Sequence, residues 1–141
     1  GAEVVRDPPN TEVGTYPIQV TDHGAADPLL KDLAPVFRAQ QGHKDRARAL
    51  PSGFRHLAWS ERVPYQAVRI DDSEVFATQF HPELTREDNI LRYLRYREAY
   101  GLTGDPEQDP VMQRMATSHG ATALLGRWLE QTWGPTSPSD Q

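Results

Sequence analysis

With 141 residues, a formal net charge of −5 and no cysteine, the chain is the size of one domain and carries no disulfide, thiolate metal site or thiol nucleophile of its own. Its arginines are scattered rather than gathered into a basic run, which gives no electrostatic ground for binding nucleic acid or an anionic membrane. No apolar run is long enough to span a bilayer, and a cytoplasmic protein is expected. A hydrophobic fraction of 37%, a mean hydropathy of −0.69 and 12 prolines predict many turns and a thin core, or a core completed by something else. The chain begins at Gly1 without an initiator methionine, which fits a processed, trimmed or fragmentary polypeptide.

Glu3-Val4-Val5 reads as a short strand that runs into the breakers Pro8, Pro9 and Asn10. From Glu12 to Thr21 the chain looks extended, with Tyr16, Ile18 and Val20 recurring in period two until Asp22-His23-Gly24 breaks the run. Asp27 as N-cap, with Pro28 at the first helical position, predicts a short helix ending before Pro35. Val36 to Gln41 is a candidate strand that delivers Gly42-His43-Lys44-Asp45 at its end. Four short β-compatible segments follow, at 47–50, 56–60, 65–70 and 75–80, and the turn-forming clusters between them favour antiparallel neighbours.

Thr85 and Asp88 have capping-box spacing ahead of Ile90, Leu91 and Leu94, which predicts a helix to about Tyr100, stopped by Gly101. Residues 101–109 read as a loop. Ala121, Leu124, Leu125, Trp128 and Leu129 mark an amphipathic helix from Ser118 to Trp133, and the tail at 134–141 is expected to be disordered. Residues 1–133 are read as one structural unit.

The chemistry concentrates in Gln79-Phe80-His81-Pro82-Glu83, at the end of a strand-like run. In an extended chain an i, i+2 pair points to one side, so Glu83 can hold one ring nitrogen of His81 and leave the other as a base. That is two thirds of a nucleophilic triad. A surface turn is the plain alternative. His43 and Asp45 form a second His-x-acid pair, and with His81 and Glu83 they offer a ligand set for zinc or a similar ion if the two strand ends converge. The hydroxyls of Thr15, Ser52, Ser60, Thr78 and Ser118 lack any nucleophile motif. Tyr93, Tyr96 and Tyr100 read as packing residues, with Arg92, Arg95 and Arg97 on the solvated side of the same helix.

Gln79-Phe80-His81-Pro82-Glu83 resembles the signature of class I, triad-type glutamine amidotransferases. In order before it stand Glu12-Val13-Gly14-Thr15-Tyr16-Pro17-Ile18, Gly42-His43-Lys44-Asp45, Leu50-Pro51-Ser52-Gly53, Leu57-Ala58-Trp59-Ser60-Glu61 and Gln66-Ala67, similar to the second half of that domain. The resemblance covers Gly1 to about Tyr100. It implies part of a flavodoxin-like α/β fold, with short, mostly antiparallel strands, a final strand ending at His81 and two C-terminal helices.

It implies, too, hydrolysis of glutamine with delivery of ammonia to a synthetase or transferase, and no cofactor. His81 would be the base and Glu83 its orienter in a Cys-His-Glu triad, with Gln41, Gly42, His43 and Asp45 at the amino-acid end of glutamine. Since no cysteine is present, the expectation is an inactive portion that packs against a cysteine-bearing N-terminal half or partner chain, or against a copy of itself. A non-catalytic interaction module is the competing expectation.

Overall fold

In the computed structural model, which describes residues 2–97 and 103–134, a short β1 (Val4–Arg6) passes through a 3-10 turn over the proline pair into β2 (Glu12–Val20). β2 pairs antiparallel with β3 (Val36–His43), from Glu12 opposite His43 to Gln19 opposite Val36. After a bend, β4 (Asp45–Ala47) returns to pair with β1. β5 (Phe54–Trp59), β6 (Ala67–Ile70) and β7 (Phe76–Thr78) follow as neighbours, giving a five-stranded sheet in the order β3-β2-β5-β6-β7. Every strand pair described is antiparallel, as the closely spaced turns predict. Pro17 is tolerated inside β2 because it is exposed on a stretch that β5 does not reach, β5 joining only at Gln19 and Val20.

Four helices complete the described fold: α1 (Asp22–Ala26), α2 (Arg86–Arg97), α3 (Pro110–Arg114) and α4 (His119–Trp133). The core joins Ile18, Phe37, Leu57 and Phe80 from the sheet side to Leu29 and Leu30 and to Ala121 and Leu124 of α4. Phe37 and Phe80 meet edge to face, with ring centroids 5.5 Å apart. Leu125, Leu129 and Trp133 of α4 stay exposed. Among the described residues no helix is long and apolar enough to cross a membrane.

Three local outcomes differ from the sequence reading. Asp22-His23-Gly24 does end the extended stretch, β2 stopping at Val20, but it does so by opening α1 rather than a loop: the Thr21 hydroxyl accepts from the Gly24 amide at 3.0 Å, an N-cap. Glycine is required there by close approach, since a Cβ would stand 2.1 Å from the Leu57 carbonyl oxygen. The helix expected from Asp27 shrinks to turns and a 3-10 segment at Lys31–Leu33. Asp27 instead accepts from the Leu29 amide at 2.9 Å and grips Arg69 through both oxygens, at 2.7 and 3.1 Å. Beyond the loop read at 101–109, α3 forms where no element was predicted, capped by the Asp109 carboxylate on the Val111 amide at 2.8 Å with Pro110 at the first position.

The capping box forms as read. The Asp88 amide donates to the Thr85 hydroxyl and the Thr85 amide to the Asp88 carboxylate, at 3.1 and 3.2 Å. The Thr85 hydrogen bonds hold the Asp88 carboxyl below its ordinary pKa. The expected end of this helix near Tyr100 lies outside the described residues, as does the tail at 135–141.

Candidate active site

β3 alternates buried and exposed residues from Val36 to Ala39, and then the alternation stops: Gln40 and Gln41 are both fully buried. Neighbouring strand residues face opposite sides, so the sheet is covered on both faces at this point. On one side the Gln40 amide donates to the Ala116 carbonyl and the Ser118 hydroxyl, and its oxygen accepts from Thr15 and from Asn89 of α2. On the other side Gln41 donates to the Gln66 side-chain oxygen at 2.8 Å, and the Gln66 amide donates to Glu12 and Ser60 at 2.7 and 3.0 Å. His43 joins this second cluster, its Nε2 lying 3.1 Å from Glu12 Oε2.

His81 is docked on the edge of the same strand. Its amide donates to the Gln40 carbonyl at 2.9 Å, an isolated antiparallel bridge. The final strand therefore does not run to His81 as expected: β7 ends at Thr78, the chain bends at Gln79 and Phe80, and buried Phe80 anchors the bend in the core.

The side chains of His81 and Glu83 do turn to one side. His81 Nδ1 lies 2.6 Å from Glu83 Oε1, while Nε2 lies 3.3 Å from Arg92 Nη1. An ionised carboxylate only accepts and a guanidinium only donates. These two partners are satisfied together by a neutral ring with its proton on Nδ1 and its lone pair on Nε2. The imidazole is about a quarter exposed, so Nε2 remains within reach of a further group.

Beside Arg92 is a cavity of about 160 Å³ lined by Val13, Gly42, Asn89, Arg92, Tyr93 and Tyr96. A second cavity, of about 280 Å³, shares Val13, Gly42 and Tyr93 and extends past His43. Gly42 separates the walls: a Cβ there would lie 3.7 Å from His81 Nε2. Of the four residues expected near the amino-acid end of glutamine, Gly42 alone borders both cavities. His43 lines the second but turns its ring to Glu12, Gln41 is buried in the polar cluster, and Asp45 is exposed on β4. Among the described residues no three His, Asp or Glu side chains gather as a metal would need, and the two His-x-acid pairs do not converge.

Sequence reasoning missed Arg92 and Arg97, which it placed in solvent. Arg92 is half-buried against His81, and buried Arg97 reaches the Gly104 carbonyl and Asp109. The signal available was their i, i+1 and i, i+4 relation to buried Tyr93, which turns both toward the flanks of the buried face.

The Tyr93 hydroxyl donates to Asp109 Oδ2 at 2.7 Å. Burial, followed by this bond, pushes the phenol up to about 12. Burial alone would raise Asp109, but hydrogen bonds from Tyr93 and the Val111 amide, with the Arg97 charge, hold it below its ordinary 3.8.

Tyr93→Phe is expected to lower stability by about 1.5–3 kcal/mol, the range for a hydrogen bond to a charged group. The raised phenol contributes stability that is complete below about pH 10 and lost as pH rises through about 12. Urea unfolding at pH 8 and 11.5 should show a smaller alkaline loss in the variant; an equal loss in both proteins contradicts the assignment.

The described fold is thus an α/β scaffold of antiparallel strands with His81 docked on the edge of β3 and Glu83 against its ring. The family description "Glutamine amidotransferase class-I" matches residues 1–97, and the chain belongs to that family. The GMP synthase (glutamine-hydrolyzing) of Thermosipho africanus is 38% identical over 91 residues, covering 62% of this chain and 17% of that protein. One component chain of the GMP synthase (glutamine-hydrolyzing) of Sulfolobus acidocaldarius is 38% identical over 91 residues, covering 64% of this chain and 47% of that one. Among solved structures, a glutamine amidotransferase from Thermotoga maritima superposes with a TM-score of 0.67 at 20% identity, over 93% of this chain and 54% of that one. This last similarity bears on the fold alone. The chain spans less than half the length of the two sequence relatives and about half of the solved structure.

Proposed function

We propose that this chain supplies the proton-handling half of a glutamine-hydrolysing amidotransferase, with His81 as base and Glu83 as its orienter. The observation that supports the reading most directly is the 2.6 Å contact between His81 Nδ1 and Glu83 Oε1, which leaves Nε2 with its lone pair on the side of the cavities. The nucleophile belongs to polypeptide outside this chain, which has no cysteine. None of the buried hydroxyls replaces it: Thr15, Ser60 and Ser118 are engaged in the two clusters around Gln40 and Gln66.

In the complete site His81 Nε2 takes the proton of the cysteine thiol as sulfur attacks the side-chain carboxamide carbon of glutamine. The same nitrogen returns the proton to the departing amine, ammonia leaves, and a thioester remains. His81 then takes a proton from water, the hydroxide adds to the thioester, and glutamate and the thiol are released. Glu83 holds the Nδ1 proton throughout and stabilises the imidazolium formed in each half-reaction. Gly42, bare of side chain beside Nε2, leaves space for the glutamine chain.

The ammonia acceptor follows the relatives named GMP synthase: a synthetase component, on the same chain or a separate one. The test is complementation. The chain is mixed with a cysteine-bearing N-terminal portion of a family member, and ammonia release from glutamine is measured. Release from the mixture alone supports the reading. Release by the isolated chain, or none from a mixture shown to associate, overturns it.

A further inference from the structure

Arg92 is the cation of the site that the proton chemistry above does not use. It stands one turn beyond Asp88 on α2, half-buried, and its guanidinium is directed at a neutral imidazole rather than at a carboxylate. Among the described residues it makes no ion pair. A guanidinium presents a planar fork suited to a carboxylate, and one hydrogen bond to a ring nitrogen uses a small part of that capacity. The fork also borders the 160 Å³ cavity, with Tyr93 and Tyr96 as its walls and Gly42 opposite, where an added Cβ would lie 3.8 Å from Arg92 Cζ.

Its present position carries a second consequence. Arg92 Nη1 occupies the lone-pair side of His81 Nε2, the direction from which a thiol must approach. As long as the guanidinium stays there, the base is capped. A free carboxylate in the cavity offers Arg92 a stronger, charge-assisted and bidentate partner than the imidazole does.

We propose that Arg92 is a specificity-determining residue: it binds the free α-carboxylate of a small amino-acid amide and, in turning to it, uncaps His81 Nε2. The inference rests on the reading of His81 as base, and it adds that the site selects free glutamine over substrates whose α-carboxylate is blocked. Selection and activation are then one movement. A carboxamide within a peptide, or one whose α-carboxylate is amidated, leaves Arg92 on the histidine and the base idle.

The first test needs no cysteine. Imidazole ¹⁵N resonances of His81 are followed in the isolated chain during titration with L-glutamine and with its α-carboxamide, L-glutamine amide. The expected result is a shift of Nε2 with glutamine only; in Arg92→Leu, Nε2 starts at the uncapped position and responds to neither. An equal response to both compounds, no response to either, or an unchanged response in Arg92→Leu overturns the proposal. The second test uses the complemented enzyme. Arg92→Leu should raise KM for glutamine about 10- to 100-fold while increasing release from the amide, whose base is no longer capped, with Arg92→Lys in between because it keeps the charge without the fork. An equal fall for both substrates overturns the proposal. Absence of all ammonia release from the wild-type mixture counts against the triad reading, while the titration still decides the role of Arg92.

Discussion

His81→Ala is expected to lower ammonia release by the complemented amidotransferase by about 10²- to 10⁴-fold, the range over which a positioned general base contributes. The loss should appear in kcat with little change in KM, because the imidazole contributes to the transition state more than to holding glutamine. The fold should survive: the side chain is about a quarter exposed, and the bond that docks the segment on β3 is made by the backbone amide to the Gln40 carbonyl. Glu83→Gln should act in the same direction and less severely, since the amide can still accept from Nδ1 but no longer offsets the imidazolium charge. The checks are steady-state kinetics with glutamine and thermal unfolding of each variant. Retention of wild-type kcat by His81→Ala would remove His81 from the chemistry.

The pairing of His81 with Glu83 was legible because it is local, two residues with one proline between them, although Pro82 and Glu83 lie in a turn closed by the Leu84 amide on the His81 carbonyl at 3.4 Å rather than in the extended geometry expected. The capping box at Thr85 and Asp88 and the apolar stripe of α4 were legible for the same reason. What escaped were features decided by distant chain. Gly24 reads as a breaker until the Leu57 carbonyl is seen against it, and only then is its lack of a side chain a packing requirement. Asp27 reads as a helix cap until Arg69, 42 residues away, claims both its oxygens. At α3 the sequence did hold the signal, since Asp109-Pro110 is an N-cap and first-turn pair, but the surrounding polar residues masked it.

The candidate site divides in the same way. His43 and Asp45 look alike in sequence to His81 and Glu83, yet β3 continues through His43, and its register opposite Glu12 sends the ring to that carboxylate instead. Arg92 could be placed on a helix face from its spacing, but not against an imidazole contributed by a segment docked on another strand.

Gln40→Leu is expected to be the most destabilising of these substitutions, at roughly 2–6 kcal/mol, because two buried partners lose their hydrogen bonds at about 1–3 kcal/mol each. The count follows from the geometry. Thr15 and the Ala116 backbone retain each other, the hydroxyl accepting from the amide at 2.8 Å and donating to the carbonyl at 3.1 Å. Asn89, 2% exposed, loses its acceptor, and Ser118, 5% exposed, loses its donor. Leucine fills a similar volume, so the cost is polar rather than a cavity. Against a total stability of about 5–15 kcal/mol for a domain of ordinary size this is a large fraction.

The damage should be directional. Gln40 ties β3 to α2 through Asn89, and α2 carries Arg92, so the variant should loosen the contact between Arg92 and His81 as well as the fold. Pairing Gln40→Leu with Asn89→Leu should recover part of the loss, because removing both partners leaves no stranded donor. Urea unfolding of the two single variants and the double variant measures the coupling. Strictly additive destabilisation would show that Gln40 and Asn89 act independently, and the link from the sheet to α2 would have to lie elsewhere.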